Sequence, residues 1–227
     1  VITSLEFERI LGANGPTSGH VIRPSDGKEV RKLAFVQCVG SRDCLVDRGY
    51  CSSVCCMYAT KQSLIAKEHL ATVEPTIFYI DIRAYGKDFE RYYQNAASRH
   101  GVRYVRGLVS GIREKQRTRN LLLRYLDDAG CMQEEEFDMV VLSIGLEPPR
   151  GLAAGLGLGL NDHGFVESDK FRIFQTTREG VMVCGASQEP RDIPDTVTMA
   201  SAAAAKASQI MHAARGTLLT RTEDPPE

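Results

Sequence analysis

The sequence lacks an excess of charge, a long apolar run and a secretory leader pattern. Its 28 Lys and Arg residues balance 29 Asp and Glu residues, and they form no basic stripe with interleaved aromatic residues. No apolar segment approaches the roughly 18 residues of a membrane-spanning helix. The opening segment, VITSLEFERI, has no basic region followed by an apolar one. We therefore expect a cytoplasmic protein with no membrane span and no nucleic-acid partner.

Two common catalytic patterns are also missing. There is no G-x-S-x-G motif of the α/β-hydrolase type. The histidines have no metal-ligand spacing; they are His20, His69, His100, His163 and His212. Neither hydrolase chemistry nor a histidine-bound metal is indicated.

The apolar pattern alternates between strands and helices. It predicts strands at KLAFVQCV, TIFYIDI and VRYVRG, separated by helices at SSVCCMYATKQSLIAKEHL and KDFERYYQNAASRHG. A serine is available to cap the first of these helices, which carries Lys67 and His69 in its last turn. Such an alternation predicts an α/β fold with a parallel sheet.

The pattern changes after this alternation. The short runs LVSGIRE, NLLLRYL and CMQEEEF predict an antiparallel meander that ends in the buried strand DMVVLSIG. From Glu147 onward Gly and Pro are dense, which indicates a crossing between domains. A strand at EGVMVCGAS and a long helix at IPDTVTMASAAAAKASQIMHAAR are predicted to follow.

Cysteine is concentrated in one place, with five of the seven cysteines between residues 38 and 56. Cys38 ends the first predicted strand, Cys51 precedes the helix, and Cys55 and Cys56 lie in its first turn. The dipole and free N–H groups of a helix N-terminus lower thiolate pKa values and favour a bound anion. An iron-sulfur cluster, which is anionic, suits that position. We expect the fifth cysteine, Cys44, to be a solvent-facing loop thiol.

Zinc and redox chemistry are the alternatives for these cysteines. Four cysteines also make a structural zinc site. Zinc sites usually use paired C-x2-C knuckles, however, and adjacent cysteines on a helix point about 100° apart. Two irons of a larger cluster accept that divergence more easily. A redox dithiol or inert cysteines also remain open.

Several segments together resemble the A subunit of heterodisulfide reductase. They are FVQCVGSRD, YCSSVCCMYATKQSLIAKE, FYIDIRAYGKDFERYY, GVRYVRG, DMVVLSIG and IPDTVTMASAAAAKA. The resemblance implies a thioredoxin-reductase-like flavoprotein with two dinucleotide-binding-type domains, in which Cys38, Cys51, Cys55 and Cys56 hold one 4Fe-4S cluster. It also implies FAD as a second cofactor. The implied partners are other heterodisulfide reductase-type subunits and an electron-donating oxidoreductase, with a homodimer as a further possibility.

The resemblance divides the chain into three parts. Residues 1–30 correspond to a return segment of the FAD domain and a linker, residues 31–145 to a Rossmann-like cluster-binding domain, and residues 146–227 to the C-terminal half of the FAD domain. The G-x-G-x-x-G unit that binds the FAD pyrophosphate in this family has no counterpart in the sequence. We therefore expect a chain that lacks the N-terminal FAD-binding unit.

The cysteine loop occupies the place where a Rossmann unit has its phosphate-binding glycines. Our hypothesis is that the cluster has replaced the nicotinamide pyrophosphate at the same helix N-terminus, so that this domain does not bind NAD(P)H. Asp81 follows the second strand, where such a unit has its ribose-binding acid. Its simpler interpretation is an ion pair with a nearby arginine such as Arg83.

Lys61 is the candidate catalytic residue. A helical projection places it in the middle of a face made by Val54, Met57, Leu64 and Ile65. An unpaired ammonium there would be costly. It would contact the flavin and shift its electron steps, extend past the rim to solvent, or meet a carboxylate.

The resemblance also supplies a set of flavin contacts. The segment VMVCGAS corresponds to a strand that ends in Gly-Asp in this superfamily, and Ala186 stands in place of the aspartate. The helix that begins near Pro194 is expected to direct the N–H groups of Thr196 and Val197 at the flavin C2 carbonyl. The full set of candidate cofactor-binding residues is Gly145, Gly185, Ala186, Ile193, Pro194, Thr196 and Val197. An alanine-rich helix after a buried strand is also common core architecture.

The favoured function is an electron-transfer oxidoreductase that passes electrons between FAD and the cluster toward partner subunits. One alternative is a pyridine-nucleotide disulfide oxidoreductase with an NAD(P)-binding domain. Another is a non-catalytic electron-relay or docking module that binds no flavin by itself.

Overall fold

The computed structural model describes residues 1–169 and 171–218, with side chains as far as residue 212. The chain divides between Gly145 and Leu146 into two compact units, called unit 1 and unit 2 below. No helix within the described ranges is both long and apolar enough to cross a membrane.

Unit 1 is built on a seven-stranded sheet. The strands are β1 (Ile2–Thr3), β2 (Lys32–Val39), β3 (Glu74–Tyr79), β4 (Arg103–Glu114), β5 (Leu121–Asp127), β6 (Met132–Phe137) and β7 (Met139–Ile144). Their order is β1-β7-β2-β3-β4-β5-β6. Pairing is parallel from β1 through to β4 and antiparallel from β4 to β6. The predicted α/β class, a Rossmann-like parallel sheet with an antiparallel meander, is confirmed.

The meander is joined directly to the parallel sheet by a shared strand. The sequence predicts two strands, VRYVRG and LVSGIRE, but the structure has the single twelve-residue strand β4. Its first residues, 103–106, pair parallel with β3, and the part from Gly107 onward pairs antiparallel with β5. One strand therefore serves both halves of the sheet, and no turn is needed between them.

The described residues form five α-helices, three in unit 1 and two in unit 2. They are α1 (Ser4–Leu11), α2 (Cys55–His69), α3 (Phe89–Ser98), α4 (Arg150–Gly155) and α5 (Ile193–Leu218). Helix α1 is not predicted from the sequence. Its signal is a capping box, in which the Glu6 N–H donates to Thr3 Oγ1 and the Thr3 N–H donates to the Glu6 carboxylate. The Gly- and Pro-rich stretch that follows obscures this short helix.

Helix α2 packs on the sheet through a face that the sequence pattern does not predict. Its buried residues are Cys55, Cys56, Ala59, Thr60, Gln62, Ser63 and Ala66. Small side chains let the helix lie close to the strands, and the Thr60 and Ser63 hydroxyls donate to carbonyls one turn earlier, at 2.8 Å each. The predicted apolar face is wrong, because its members stay partly exposed. The predicted serine cap is also wrong, since Val54 precedes the helix without a side-chain cap.

Unit 2 has a small core formed by Ala153, Val166 and Val183. The strand predicted at EGVMVCGAS is wrong. In the described residues this segment has a single bridge, between Met182 and Gln175, followed by a 3-10 turn at Gly185–Ser187. A strand needs a continuous partner, and this segment has none in that part of the chain. The long C-terminal helix is confirmed as α5.

Candidate functional site

Cys55 and Cys56 lie at the carboxyl edge of the parallel sheet. Cys55 Sγ lies 3.7 Å from the carbonyl oxygen of Ile144, the last residue of β7. Cys56 Sγ lies 3.9 Å from the carbonyl oxygen of Asp81, just beyond β3. Because β2 runs between β7 and β3, the two adjacent thiols diverge across the end of β2.

Cys38 reaches the same edge from β2 itself. The pairing of β2 with β7 shifts register between Val36 and Val39, and Cys38 has a left-handed φ of 61°. Such a φ is uncommon for a non-glycine residue. The φ of Cys38 interrupts the alternation of side chains along β2 and directs the chain into the loop that leads to Cys51.

The loop between Cys38 and α2 is folded back and pinned to the sheet. The Arg42 N–H donates to the Tyr50 carbonyl at 2.8 Å. The hydroxyls of Ser41 and Ser52, both buried, form a hydrogen bond with each other. A Cβ at Gly145 would lie 2.2 Å from Ser41 Oγ and 2.3 Å from Ser52 Oγ. Gly145 therefore makes room for the serine pair that fixes the loop.

Two of the cysteine sulfurs accept backbone hydrogen bonds. The Ser53 N–H donates to Cys51 Sγ at 3.3 Å, and the Arg83 N–H donates to Cys56 Sγ at 3.5 Å. The uncapped start of α2 adds further N–H groups beside Cys55 and Cys56. Donors of this kind favour an anionic centre.

The thiols interact electrostatically with one another. Burial raises the pKa of Cys55 to about 12, an effect that Tyr58 opposes and the charges of Cys56, Cys38 and Cys51 reinforce. Burial likewise raises the pKa of Cys56 and of Cys38. These thiols bind as thiolates only when a metal replaces their protons.

The described thiols do not converge on one point. Across residues 1–169 and 171–218, no group of three or more His, Cys, Asp or Glu side chains converges closely enough to hold one ion. Four zinc ligands would meet at one atom, whereas the thiolates around a cube bind separate irons and stand farther apart. The divergence of Cys55 and Cys56 suits the second arrangement.

The remaining loop cysteine and Asp81 follow their simpler interpretations. Cys44 is exposed, as predicted, in a short turn formed by Cys44–Val46. Asp81 pairs with Arg42 and also lies 3.4 Å from Arg83 Nε. The predicted arginine partner is confirmed, and both guanidinium groups hold Asp81 beside the cysteine loop.

Lys61 meets a carboxylate. Its Nζ lies 2.6 Å from Glu8 Oε1, and both side chains are 45% exposed. Burial alone would raise the pKa of Glu8, but hydrogen bonds from Lys61 and Gln62 lower it. The prediction of a cation in the middle of an apolar face is wrong, because the buried face of α2 is the one that contains Gln62.

The predicted flavin residues are only partly arranged for a flavin. Gly145 follows β7 and packs against the serine pair of the cysteine loop, as described above. The Thr196 N–H donates to the Asp192 carbonyl at 3.0 Å, so the prediction that it is free to meet a flavin carbonyl is wrong. Asp192 also caps α5, since its Oδ1 accepts from the Asp195 N–H at 2.9 Å. A candidate cap at Asp192 was readable from the sequence.

The other residues of this set surround the start of α5. Gly185 has a φ of 64°, and a Cβ there would lie 2.6 Å from Thr196 Cγ2. Its neighbour Ala186 is exposed, as is Pro194. Ile193 is 80% exposed and Val197 59% exposed. Ala186, Ile193, Pro194 and Val197 form an open, partly apolar surface on unit 2, beside the buried Gly185.

Residues 23–205 match the family model of the pyridine nucleotide-disulphide oxidoreductases. This chain belongs to that family. The predicted oxidoreductase class is therefore confirmed.

Similar proteins support the resemblance to the A subunit of heterodisulfide reductase. The chain is 45% identical to the iron-sulfur A subunit of CoB–CoM heterodisulfide reductase from Methanocaldococcus jannaschii over 215 residues, which cover 92% of the chain and 33% of that protein. It is 42% identical to the iron-sulfur A subunit numbered 2 of the same reductase from Methanopyrus kandleri over 219 residues, covering 94% and 33%. The predicted resemblance is confirmed, and the chain spans about a third of the length of these relatives.

Solved structures confirm the fold of the pyridine nucleotide-disulphide oxidoreductase chain. Thioredoxin reductase from T. acidophilum matches with a TM-score of 0.53 at 16% identity, over 80% of the chain and 53% of that structure. The enzyme from Lactococcus lactis gives the same TM-score and identity over 81% and 52%. The thioredoxin-reductase-like architecture is thus shown, in partial form.

Proposed function

We propose that this chain is the cluster-bearing part of an electron-transfer oxidoreductase. Cys38, Cys51, Cys55 and Cys56 would hold one 4Fe-4S cluster. The observation that carries this proposal is the position of Cys55 and Cys56 at the uncapped start of α2, close enough to Cys38 and Cys51 for the charges of the four thiols to interact. The N–H groups of Ser53 and Arg83 donate to the sulfurs of Cys51 and Cys56. The divergence of the adjacent thiols supports a cube over a single ion.

FAD is the second proposed cofactor. The Thr196 N–H is used within α5, so we assign flavin contact on unit 2 to the open surface formed by Ala186, Ile193, Pro194 and Val197, with Gly185 beneath it. Gly145 stays a proposed flavin contact. A bound FAD would exchange electrons in pairs, whereas a cluster carries them singly. We keep the domain division at residues 1–30, 31–145 and 146–227, with the first and last parts assigned to the FAD domain.

The partners follow from the relatives. Those proteins are named as subunits of heterodisulfide reductases. We propose that this chain, in the cytoplasm, delivers electrons to other subunits of that type and receives them from an electron-donating oxidoreductase. Self-association into a homodimer is a further part of the proposal.

Counting cofactors tests the proposal. The full chain, purified anaerobically, should carry about four irons and four acid-labile sulfides. One zinc without sulfide, or no metal at all, would contradict it. Flavin counted in the same sample separates the alternatives: a cluster without flavin favours a relay or docking module, because the open surface on unit 2 would then lack its ligand.

We expect unit 1 to bind no NAD(P)H. The cysteine loop fills the edge of the sheet where a pyrophosphate would lie, and Asp81 is held by Arg42 and Arg83. A fluorescence titration of the full chain with NADH should show no saturable binding, with or without the cluster. Tight binding that survives removal of iron would support the pyridine-nucleotide alternative instead.

We still propose Lys61 as a catalytic residue, because its positive charge would act on the flavin. The Lys61→Met variant should keep its cluster and lose at most about 1 kcal/mol of stability, since a half-exposed ion pair contributes little. If the cation affects the flavin, the flavin reduction potential of the loaded protein should fall. Glu8→Gln removes the partner and leaves the cation, so it should raise that potential. A flavin potential that neither variant changes would remove Lys61 from the site.

A further inference from the structure

Gln37 is a buried carboxamide without a hydrogen-bond partner. The residue is 7% exposed. Neither its Nε2 nor its Oε1 has a partner in the part of the chain that the structure describes. Buried polar groups are almost always paired because the loss of hydration is costly. A side chain with both polar atoms unpaired therefore indicates a partner that is a ligand.

The topology places Gln37 beneath the first turn of α2. It lies two residues after Phe35 on β2, and Phe35 belongs to the core that packs under α2 together with Ala59. Alternate residues of a strand share a face, so Gln37 points to the same side. The neighbouring residue Val36 pairs with Leu142 of β7 and Phe78 of β3, which sets Gln37 near the carboxyl ends of both strands.

The two adjacent thiols of α2 lie at these strand ends. Cys55 contacts Ile144 at the end of β7, and Cys56 contacts Asp81 beyond β3. Since β2 lies between these strands, we infer that the Gln37 side chain lies below and between the two thiols. It is also adjacent in sequence to Cys38.

Several polar side chains around the first turn of α2 are engaged elsewhere, whereas the buried Ser143 hydroxyl on β7 is, like Gln37, without a partner among the described residues. The Tyr58 hydroxyl donates to the Ile144 carbonyl at 2.6 Å. The Thr60 hydroxyl donates to the Cys56 carbonyl, and the Ser41 and Ser52 hydroxyls bond to each other. We assign the content of the cysteine site as the partner of Gln37, because that site lies at the ends of β7 and β3 on either side of β2.

We propose that the Gln37 carboxamide donates an Nε2–H hydrogen bond to a sulfur of the bound cluster and thereby sets its reduction potential. This inference rests on the proposed function. Reduction adds negative charge to the cluster, so a hydrogen-bond donor at sulfur stabilises the reduced state and raises the potential. Gln37 is a positioning and tuning residue; it is not a ligand.

The test is a redox titration of the Gln37→Met variant. Methionine keeps the length of the side chain and removes the donor. At a fixed ambient potential the ratio of reduced to oxidised cluster should fall about tenfold, equivalent to about 59 mV for one electron. The matched control is Gln62→Met, a buried amide on α2 whose Nε2 donates to Ser4 and Glu8. It should leave the cluster potential unchanged.

A measurement on the unchanged protein covers failure of the variant to assemble. With glutamine labelled by ¹⁵N in the side-chain amide, pulsed EPR of the reduced cluster should detect a nitrogen coupling. That coupling should persist in the Gln62→Met control. An unchanged potential in Gln37→Met, or no amide coupling, overturns the inference while the cluster itself stands. Absence of iron in the wild-type chain overturns the proposed function instead.

Discussion

Replacing Cys56 by serine should abolish the cluster. Iron should fall from about four per chain to below one. The serine side chain reaches less far than that of cysteine, and its oxygen binds iron less well than a thiolate does. Cys56 is 7% exposed, and its sulfur accepts the Arg83 N–H. Iron and sulfide counted after anaerobic purification give the result directly.

Cys44→Ser is the matched control for this experiment. Cys44 lies in the same loop but is exposed in its outer turn, so its variant should keep the full iron content. Far-UV circular dichroism of both metal-free variants should match the wild type, which separates loss of a ligand from loss of the fold. Full iron content in Cys56→Ser would mean that the cluster uses other ligands.

The parallel sheet could be predicted because its signals are local. Buried strands such as DMVVLSIG are continuous apolar runs, and the intervening helices have clear ends. The joining of two predicted strands into β4 could not be predicted, since it depends on a strand that pairs with β3 and β5 in succession. The strand expected at EGVMVCGAS failed for the same reason. Apolar residues predict that a segment is buried, but a strand also requires a neighbouring strand with which it can pair.

The position of Cys55 and Cys56 at the start of α2 could be predicted from the sequence, but the residues that support the cysteine loop could not. Cys55 and Cys56 were identified because a helix start is visible in sequence. The assignment of Lys61 to an apolar face failed because α2 buries small and hydroxyl side chains, which a hydrophobic pattern does not count. Gln37 had no signal at all. A glutamine one residue before a cysteine becomes informative only when its burial and missing partners are known.

Gly145→Ala should displace the cysteine loop, although Gly145 itself lies outside that loop. The added Cβ would lie 2.2 Å from Ser41 Oγ and 2.3 Å from Ser52 Oγ, well inside contact distance. Both serines are buried, so relief requires the loss of their mutual hydrogen bond and a shift of the loop. We expect a loss of about 2–3 kcal/mol in the free energy of unfolding. Thermal unfolding of the metal-free chain measures this loss.

The same substitution should also reduce iron content, because the serine pair holds the loop that carries Cys38 and Cys51. Gly111→Ala is the matched control, since no atom lies within 4 Å of a Cβ at that strand position. It should change stability by less than about 1 kcal/mol and leave the iron content intact. If Gly145→Ala behaves like this control, the loop does not depend on the serine pair. If Gly145→Ala unfolds early but still binds a full cluster, the bound cluster alone is enough to hold the loop.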